Sequence, residues 1–401
     1  GFAPVGDDEV AVTAEPDGLV SARDLRTGEV RWRVTLTGPV VAAPALAGGL
    51  GLVADAAKRL WALDLVDGSA RWARRFDDIV SASPLIVDDV PVVPSDNGAV
   101  AALALADGAV RWEHDLAAPA ASAPALVDGL ADDLSEALAV VADRDGGVTA
   151  LEVGTGRTAW SAALDSPWGA GPAVAGDLVL VADADGGLAA LDAADGVRAW
   201  LARSRYVAYA ALAVGDDTVV VNGDGDRLEA FALDDGERVW GVPVDDTEAP
   251  PVVVAEEVIS VTTAGLVEVR GVADGHLVRS WPLPAPEPDA VFDVGSALGV
   301  LDGCLVVTAG VDAEAHGSVH YAYPLNDAAG RRGVSFATEA RVLPTSPSAP
   351  PALLGDTLLV PGQDQALHRS TARDRVEPVL AARQPLVGVT PAGDDQVLVQ
   401  R

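Results

Sequence analysis

A β-propeller, an all-β ring of four-stranded antiparallel blades, is the fold this sequence predicts, and three observations predict it. The first is a period. Tryptophan stands at Trp32, Trp72, Trp112, Trp160, Trp200, Trp240 and Trp281, so the differences between successive positions are 40, 40, 48, 40, 40 and 41. Self-similarity near 40 residues marks a repeat architecture. The second is positional. Four residues before each of the first six tryptophans stands a glycine (Gly28, Gly68, Gly108, Gly156, Gly196, Gly236), and ten before stands an alanine (Ala22, Ala62, Ala102, Ala150, Ala190, Ala230). The third is texture. Short apolar runs alternate with Asp-Gly and Gly-Asp turns, the pattern of hairpins, and no window keeps a helical period beyond the length of a strand. Four short antiparallel strands per period, repeated radially, build a propeller blade.

Taken in order, the first unit covers residues 2–36 and is led by a short strand at 2–5. Units two and three follow to residue 116. Unit four carries an extra segment at 128–136, which accounts for the longest gap and is expected to be a surface loop between its first two strands. Unit five shows the pattern most plainly. Residues 172–175 precede a turn at Gly176-Asp177, and 178–182 are a continuous apolar run. Asp183-Ala184-Asp185-Gly186-Gly187 turns the chain, 188–192 alternates, Asp195-Gly196 turns it again, and 197–201 ends the unit. Units six and seven restore the period. A proline-rich linker at 282–288 then leads to a degenerate unit at about 293–340, where Phe336 stands for the tryptophan and 312–317 lengthens a hairpin. A second proline-rich joint, 344–351, leads to another degenerate unit at about 347–383. Residues 385–401 supply closing strands: Gly393 to Val399 echoes Gly6 to Val12, a half-unit that would complete one blade from both ends of the chain and remove an open sheet edge. The whole chain, 1–401, reads as one domain.

The stretch Ala190-Leu191-Asp192-Ala193-Ala194-Asp195-Gly196-Val197-Arg198-Ala199-Trp200 resembles the tryptophan-docking motif of the pyrroloquinoline-quinone-like (PQQ-like) propeller family. The resemblance implies that each outer-strand tryptophan stacks between neighbouring blades, against the small alanine and the glycine turn. A large flat ring docks at close-packed density only where its neighbour is small. Neither the Trp-Asp ending of WD40 repeats nor the double glycine of kelch repeats recurs. The family usually closes with eight blades, so eight are expected here, although nine units are counted. Within the family the short loops resemble the non-enzymatic outer-membrane-assembly lipoprotein type more than the quinoprotein dehydrogenases. Those enzymes bind PQQ with calcium over a disulfide between adjacent cysteines. This chain has one cysteine, Cys304, in an apolar run that reads as buried, so no internal disulfide is available.

Composition narrows the partners. The chain has 401 residues, 60 acids against 27 bases, and a formal net charge of -33. Its single lysine is Lys58. Such a surface repels nucleic acid and anionic membranes and suits a protein kept soluble at high salt, where self-repulsion is screened. No apolar run approaches the roughly 20 residues that span a bilayer, so direct membrane insertion is not expected. The chain opens on Gly-Phe and contains no methionine. A targeting segment is therefore expected to have been removed from an extracellular or cell-surface protein, held by a lipid tether or by self-association.

No nucleophile–base arrangement or phosphate loop is present, and no catalytic or cofactor-binding residue is assigned. Asn222, Asp224 and Asp226 mimic the alternate oxygens of a calcium loop. Asp183-Ala184-Asp185 and Asp143-Arg144-Asp145 hold the same place in other units, which reads the stretch as an ordinary turn. His316 and His320 lack the third ligand that zinc needs. One local feature departs from the repeat. The joints entering units five and six hold Trp168, Arg203, Arg205, Tyr206 and Tyr209, aromatic and arginine side chains of the kind enriched where partners bind; ordinary packing between blades is the competing reading. The function expected is a non-catalytic interaction scaffold for protein partners. The alternative is a PQQ- or small-ligand-binding oxidoreductase or sensor.

Overall fold

The computed structural model describes backbone and side chains at residues 18–20, 22, 31–42, 45–127, 137–204, 212–222, 227–245, 247, 251–262 and 265–282. Elsewhere it describes strand backbone alone, through residue 400. Every described element is a strand. The second to ninth sheets are four-stranded and follow one another in chain order. Sheet 2 comprises Ala45–Ala47, Leu50–Asp55, Arg59–Asp64 and Ala70–Arg75. Sheet 5 comprises Trp168–Ala175, Leu178–Asp183, Gly187–Asp192 and Arg198–Arg203. Sheet 6 comprises Ala213–Val214, Thr218–Gly223, Arg227–Ala232 and Arg238–Pro243, and sheet 7 Val252–Val254, Glu257–Val261, Leu266–Gly271 and Leu277–Pro282. These are the antiparallel blades of a β-propeller.

Sheet 1 is built differently. Its five strands run in the order Val30–Thr35, Leu19–Asp24, Val10–Ala14, Gln396–Gln400 and Gly388–Pro391. The last strand of the chain pairs in parallel with the first, Val10 opposite Gln396 and Ala14 opposite Gln400. The two ends of the chain therefore share one sheet, and neither Val10–Ala14 nor Gln396–Gln400 is left as an open edge. Among the described residues the sheets number nine, the number of units in the sequence. The number of blades in the closed ring is a separate quantity. The leading strand expected at 2–5 and the inserted loop at 128–136 lie outside the described residues, as do Phe336 and His316.

The second strands explain the continuous apolar runs. Leu178–Asp183 is buried on both faces after its first residue, as strands sandwiched between two layers must be. In sheets 2 to 6 one face packs on the sheet before and the other on the sheet after. Between sheets 5 and 6, for example, Leu180, Leu188, Val219, Val221 and Phe231 form one buried cluster.

The motif explains how neighbouring sheets lock. Trp200 stands across the strand pair from Ala190, and that alanine has no exposed surface. The indole Nε1 donates to the Leu233 carbonyl of the next sheet at 2.8 Å, and its ring lies where a Cβ on Gly236 would go. The same bond recurs from Trp32 to Leu65, Trp72 to Leu105, Trp112 to Val153, Trp160 to Ala193 and Trp240 to Val272. Each indole sits over a glycine of the next sheet, the last of them over Gly275. Those glycines hold φ near +70°, for instance +72° at Gly196, a conformation that side chains resist. The aspartates of the motif close the same turn: Asp192 Oδ1 accepts the Ala194 N–H, and Asp195 Oδ1 accepts the Val197 N–H.

Trp281 breaks the series. In sheet 7 the residue opposite Val269, the docking position, is Arg279, and Trp281 stands two residues further on, opposite Val267. Arg279 donates instead to Glu257 within its own sheet at 2.8 Å. Among the described residues the clasp therefore runs from sheet 1 to sheet 7, and in sheet 7 the docking register is held by Arg279.

Candidate functional site

Trp168 and Arg203 lie at one end of sheet 5. Trp168 pairs with Asp183 and Arg203 with Gly187, and residues 183–187 are the turn between the second and third strands. Trp168 is half-buried against the core between sheets 4 and 5, and its Nε1 donates to the Gly171 carbonyl at 2.9 Å. Arg203 is exposed and reaches Asp165 at 3.5 Å, as does Arg198. Ser204, next in the chain, is buried and donates its Oγ to Glu229 Oε2 at 2.6 Å. Glu229, 1% exposed, also holds Arg238 at 2.9 Å and Arg227 at 3.5 Å. The joint into sheet 6 is thus anchored on the buried Glu229, with Arg203 facing solvent beside it. Arg205, Tyr206 and Tyr209 lie outside the described residues.

The calcium-like stretch is only partly described. Asn222 is buried, and its Nδ2 donates to the Thr247 carbonyl at 2.8 Å; Asp224 and Asp226 lie outside the described residues. Where the equivalent turns are described, the carboxylate is occupied by backbone. Asp183 Oδ1 accepts the N–H groups of Asp185 and Gly187, and Asp143 accepts those of Asp145 and Gly147. A Cβ at Gly147 or Gly187 would collide with the second carboxylate oxygen, which is why the turn ends in glycine. In sheet 2 the same place holds Asp55, which accepts from Thr37, Arg59 and the Trp61 indole. No group of three His, Cys, Asp or Glu residues suited to a metal occurs among the described residues.

Carboxylates shifted from their ordinary range sit in surface turns. The hydroxyl and N–H of Ser69 hold Asp67 low, Lys58 and the Ile79 N–H hold Asp78 low, Arg157 and Thr155 hold Glu152 low, and His276 holds Asp274 low. Each is already bonded to a fixed neighbour in its own or an adjacent turn.

Sequence reasoning missed a cleft of about 890 Å³ at the opposite end of sheets 5 and 6. Asp177, Asp216, Asp217 and Asp234 line it with Val174, Leu178, Val214 and Val239. Its signal is the residue that opens the second strand. The second strands of sheets 2 to 5 begin with Leu50, Val90, Leu138 and Leu178, whereas those of sheets 6, 7 and 9 begin with Thr218, Glu257 and Thr357.

A family model described as outer membrane protein assembly factor BamB matches residues 1–141 and 144–331. No curated protein sequence matches the chain. Among solved structures, BamB from Moraxella catarrhalis superposes with a TM-score of 0.58 at 21% identity, covering 77% of this chain and 90% of that one. The computationally designed Ika8 protein gives 0.57 at 16% identity, over 76% and 93%. A europium-containing methanol dehydrogenase gives 0.51 at 12% identity, over 76% and 79%. These structural likenesses share the fold alone. The match of the family model over most of the length, together with the six tryptophan clasps it shares between blades, places this chain in the PQQ-like β-propeller family of the outer membrane protein assembly factor BamB.

Proposed function

We propose that the protein is a non-catalytic scaffold that holds protein partners at the cell envelope or surface. The observation that carries this reading is where the repeated polar groups are used. The six indole N–H groups are spent on carbonyls of the next sheet, and the turn aspartates at 143 and 183 on backbone N–H groups. What a stiff ring of this kind offers is surface: rim turns, inter-sheet joints and clefts. The family supports the reading, since the protein that names it is an assembly factor. The joint at Trp168 and Arg203, continued by Arg205, Tyr206 and Tyr209, is one proposed contact. An enzyme of the quinoprotein type is the competing reading, which the methanol dehydrogenase likeness supports at the level of fold only.

The test is affinity purification of the tagged protein from native envelope extract. A partner recovered in stoichiometric amount, and lost after Arg203→Glu, is the expected result. A quinone absorbance band in the purified protein, with turnover of an alcohol, would overturn the scaffold.

A further inference from the structure

The cleft between sheets 5 and 6 is a place where the repeat leaves a gap. In the equivalent place between sheets 2 and 3, the Leu105 side chain closes over Gly48, so that a Cβ there would stand 3.1 Å from Leu105 Cδ2. Leu233 occupies the position of Leu105 in sheet 6, three residues before the docking glycine in both, and Gly176 the position of Gly48. Yet a Cβ on Gly176 would meet nothing within 4 Å. Leu233 is partly buried against the core between sheets 5 and 6 and lines the cleft, whereas Leu105 is fully within the core between sheets 2 and 3. The floor over Gly176 is left open.

Two further features mark the opening. Thr218, which lines it, is 6% exposed, and its Oγ1 has no hydrogen-bond partner. Sheets 2 to 5 place leucine or valine at this position, and sheets 7 and 9 place Glu257 and Thr357. A buried hydroxyl without a partner costs on the order of 1–3 kcal/mol, so a change from leucine to threonine is unfavourable unless something outside the chain meets that oxygen. The charge around it is of one sign: four aspartates and no base line the cleft. Val239, 42% exposed, gives it an apolar rim.

We propose that this cleft docks a basic peptide segment of a protein partner, anchored by one apolar side chain. The apolar side chain fills the space over Gly176 between Val174, Leu178 and Val214. Flanking lysine or arginine side chains meet Asp177, Asp216, Asp217 and Asp234, and a polar group of the segment meets Thr218 Oγ1. Charge sets the choice of occupant, because a wholly acidic wall repels acidic segments and attracts basic ones. The inference rests on the scaffold reading and names a second surface for it, at the opposite end of the sheets from Trp168 and Arg203.

A fluorescein-labelled peptide Lys-Leu-Lys-Val-Lys would be titrated with the full chain and followed by anisotropy. Asp88 and Asp89 in sheet 3 are the counterparts of Asp216 and Asp217 and stand beside the interface that Leu105 closes. Asp216→Asn with Asp217→Asn should weaken binding about tenfold or more, the scale of lost charge contacts, while Asp88→Asn with Asp89→Asn leaves it unchanged. Thr218→Val should weaken it several-fold while raising the melting temperature, because an unpartnered hydroxyl is removed. Equal losses from both aspartate pairs would mean diffuse attraction to an acidic surface and overturn the proposal. So would a Lys-Gly-Lys-Gly-Lys peptide binding as tightly, since a simple cation would then suffice. Affinity purification separates this proposal from the one it rests on. A partner recovered by the native protein and equally by the Asp216→Asn, Asp217→Asn variant sinks the cleft and keeps the scaffold. No partner from either sinks the scaffold.

Discussion

Gly196 carries no side chain because the Trp160 ring occupies the place where one would go. Gly176 has the same sign of φ, +57°, and open space beside it. The two glycines therefore separate backbone strain from collision. Gly176→Ala should cost about 1 kcal/mol, the strain of a side chain in the left-handed region. Gly196→Ala adds a displaced indole and should cost at least twice as much; equal denaturant midpoints would refute the clasp. Trp200→Ala should cost on the order of 3–5 kcal/mol, as for other large buried aromatics, and a loss below about 1 kcal/mol, typical of a surface site, would count against it. The tryptophan–glycine–alanine spacing was legible because six copies of one local rule cannot arise from local propensity alone. The Arg279 substitution was not. A shift of two residues inside a gap of 41 keeps the apparent period, and only the pairing of Val269 with Arg279 reveals it.

At the scale of the element, strands and turns were legible from apolar runs and Asp-Gly pairs, since a strand buried on both faces writes itself as an unbroken run. The fate of the terminal strand was read only in outline. The echo of Gly6 to Val12 at Gly393 to Val399 suggested a shared blade, and the parallel pairing of Val10–Ala14 with Gln396–Gln400 came from the structure. Truncation after Pro391 removes that partner and exposes an edge. The melting temperature should fall and light scattering should rise; an unchanged melt would mean that the terminal strand is not part of the closure. The cleft was illegible for a related reason. Thr218 is an ordinary strand residue until its register with Leu178, Leu138, Val90 and Leu50 is known, and the gap over Gly176 depends on where the Leu233 side chain packs.

The whole molecule carries a net charge of -33. Self-repulsion at that charge opposes compaction, so the melting temperature should rise with sodium or potassium chloride as screening grows; a flat or falling curve would remove the case for a high-salt habitat. Acid acts in two stages. From pH 7 towards about pH 5, protonation reduces repulsion and should raise the melting temperature. Asp67, Asp78, Glu152 and Asp274 have folded pKa values below the ordinary 3.8 or 4.5. A depressed carboxylate contributes stability above its unfolded pKa and loses it as pH falls through the folded value. Below about pH 4 the curve should therefore turn downward, even in high salt. A monotonic rise to pH 3 would show that these turn contacts contribute nothing.

The arginine in the docking register of sheet 7, with Trp281 displaced by two residues, has a consequence for how the ring opens. A row of like units, each coupled to its neighbour, behaves as a one-dimensional cooperative chain, and such a chain melts first where a coupling is weakest. Sheets 2 to 6 each receive an indole and give one from the docking register, whereas in sheet 7 that register holds Arg279. Fluctuations should enter the ring at that boundary and travel backwards along the series. Native-state hydrogen exchange would register this as an ordered sequence of release: amides of Leu266–Gly271 first, those of Arg227–Ala232 later, and those of Gly187–Asp192 later still. The ring would thus possess a seam, fixed by the sequence at Arg279 rather than by the meeting of the two chain ends.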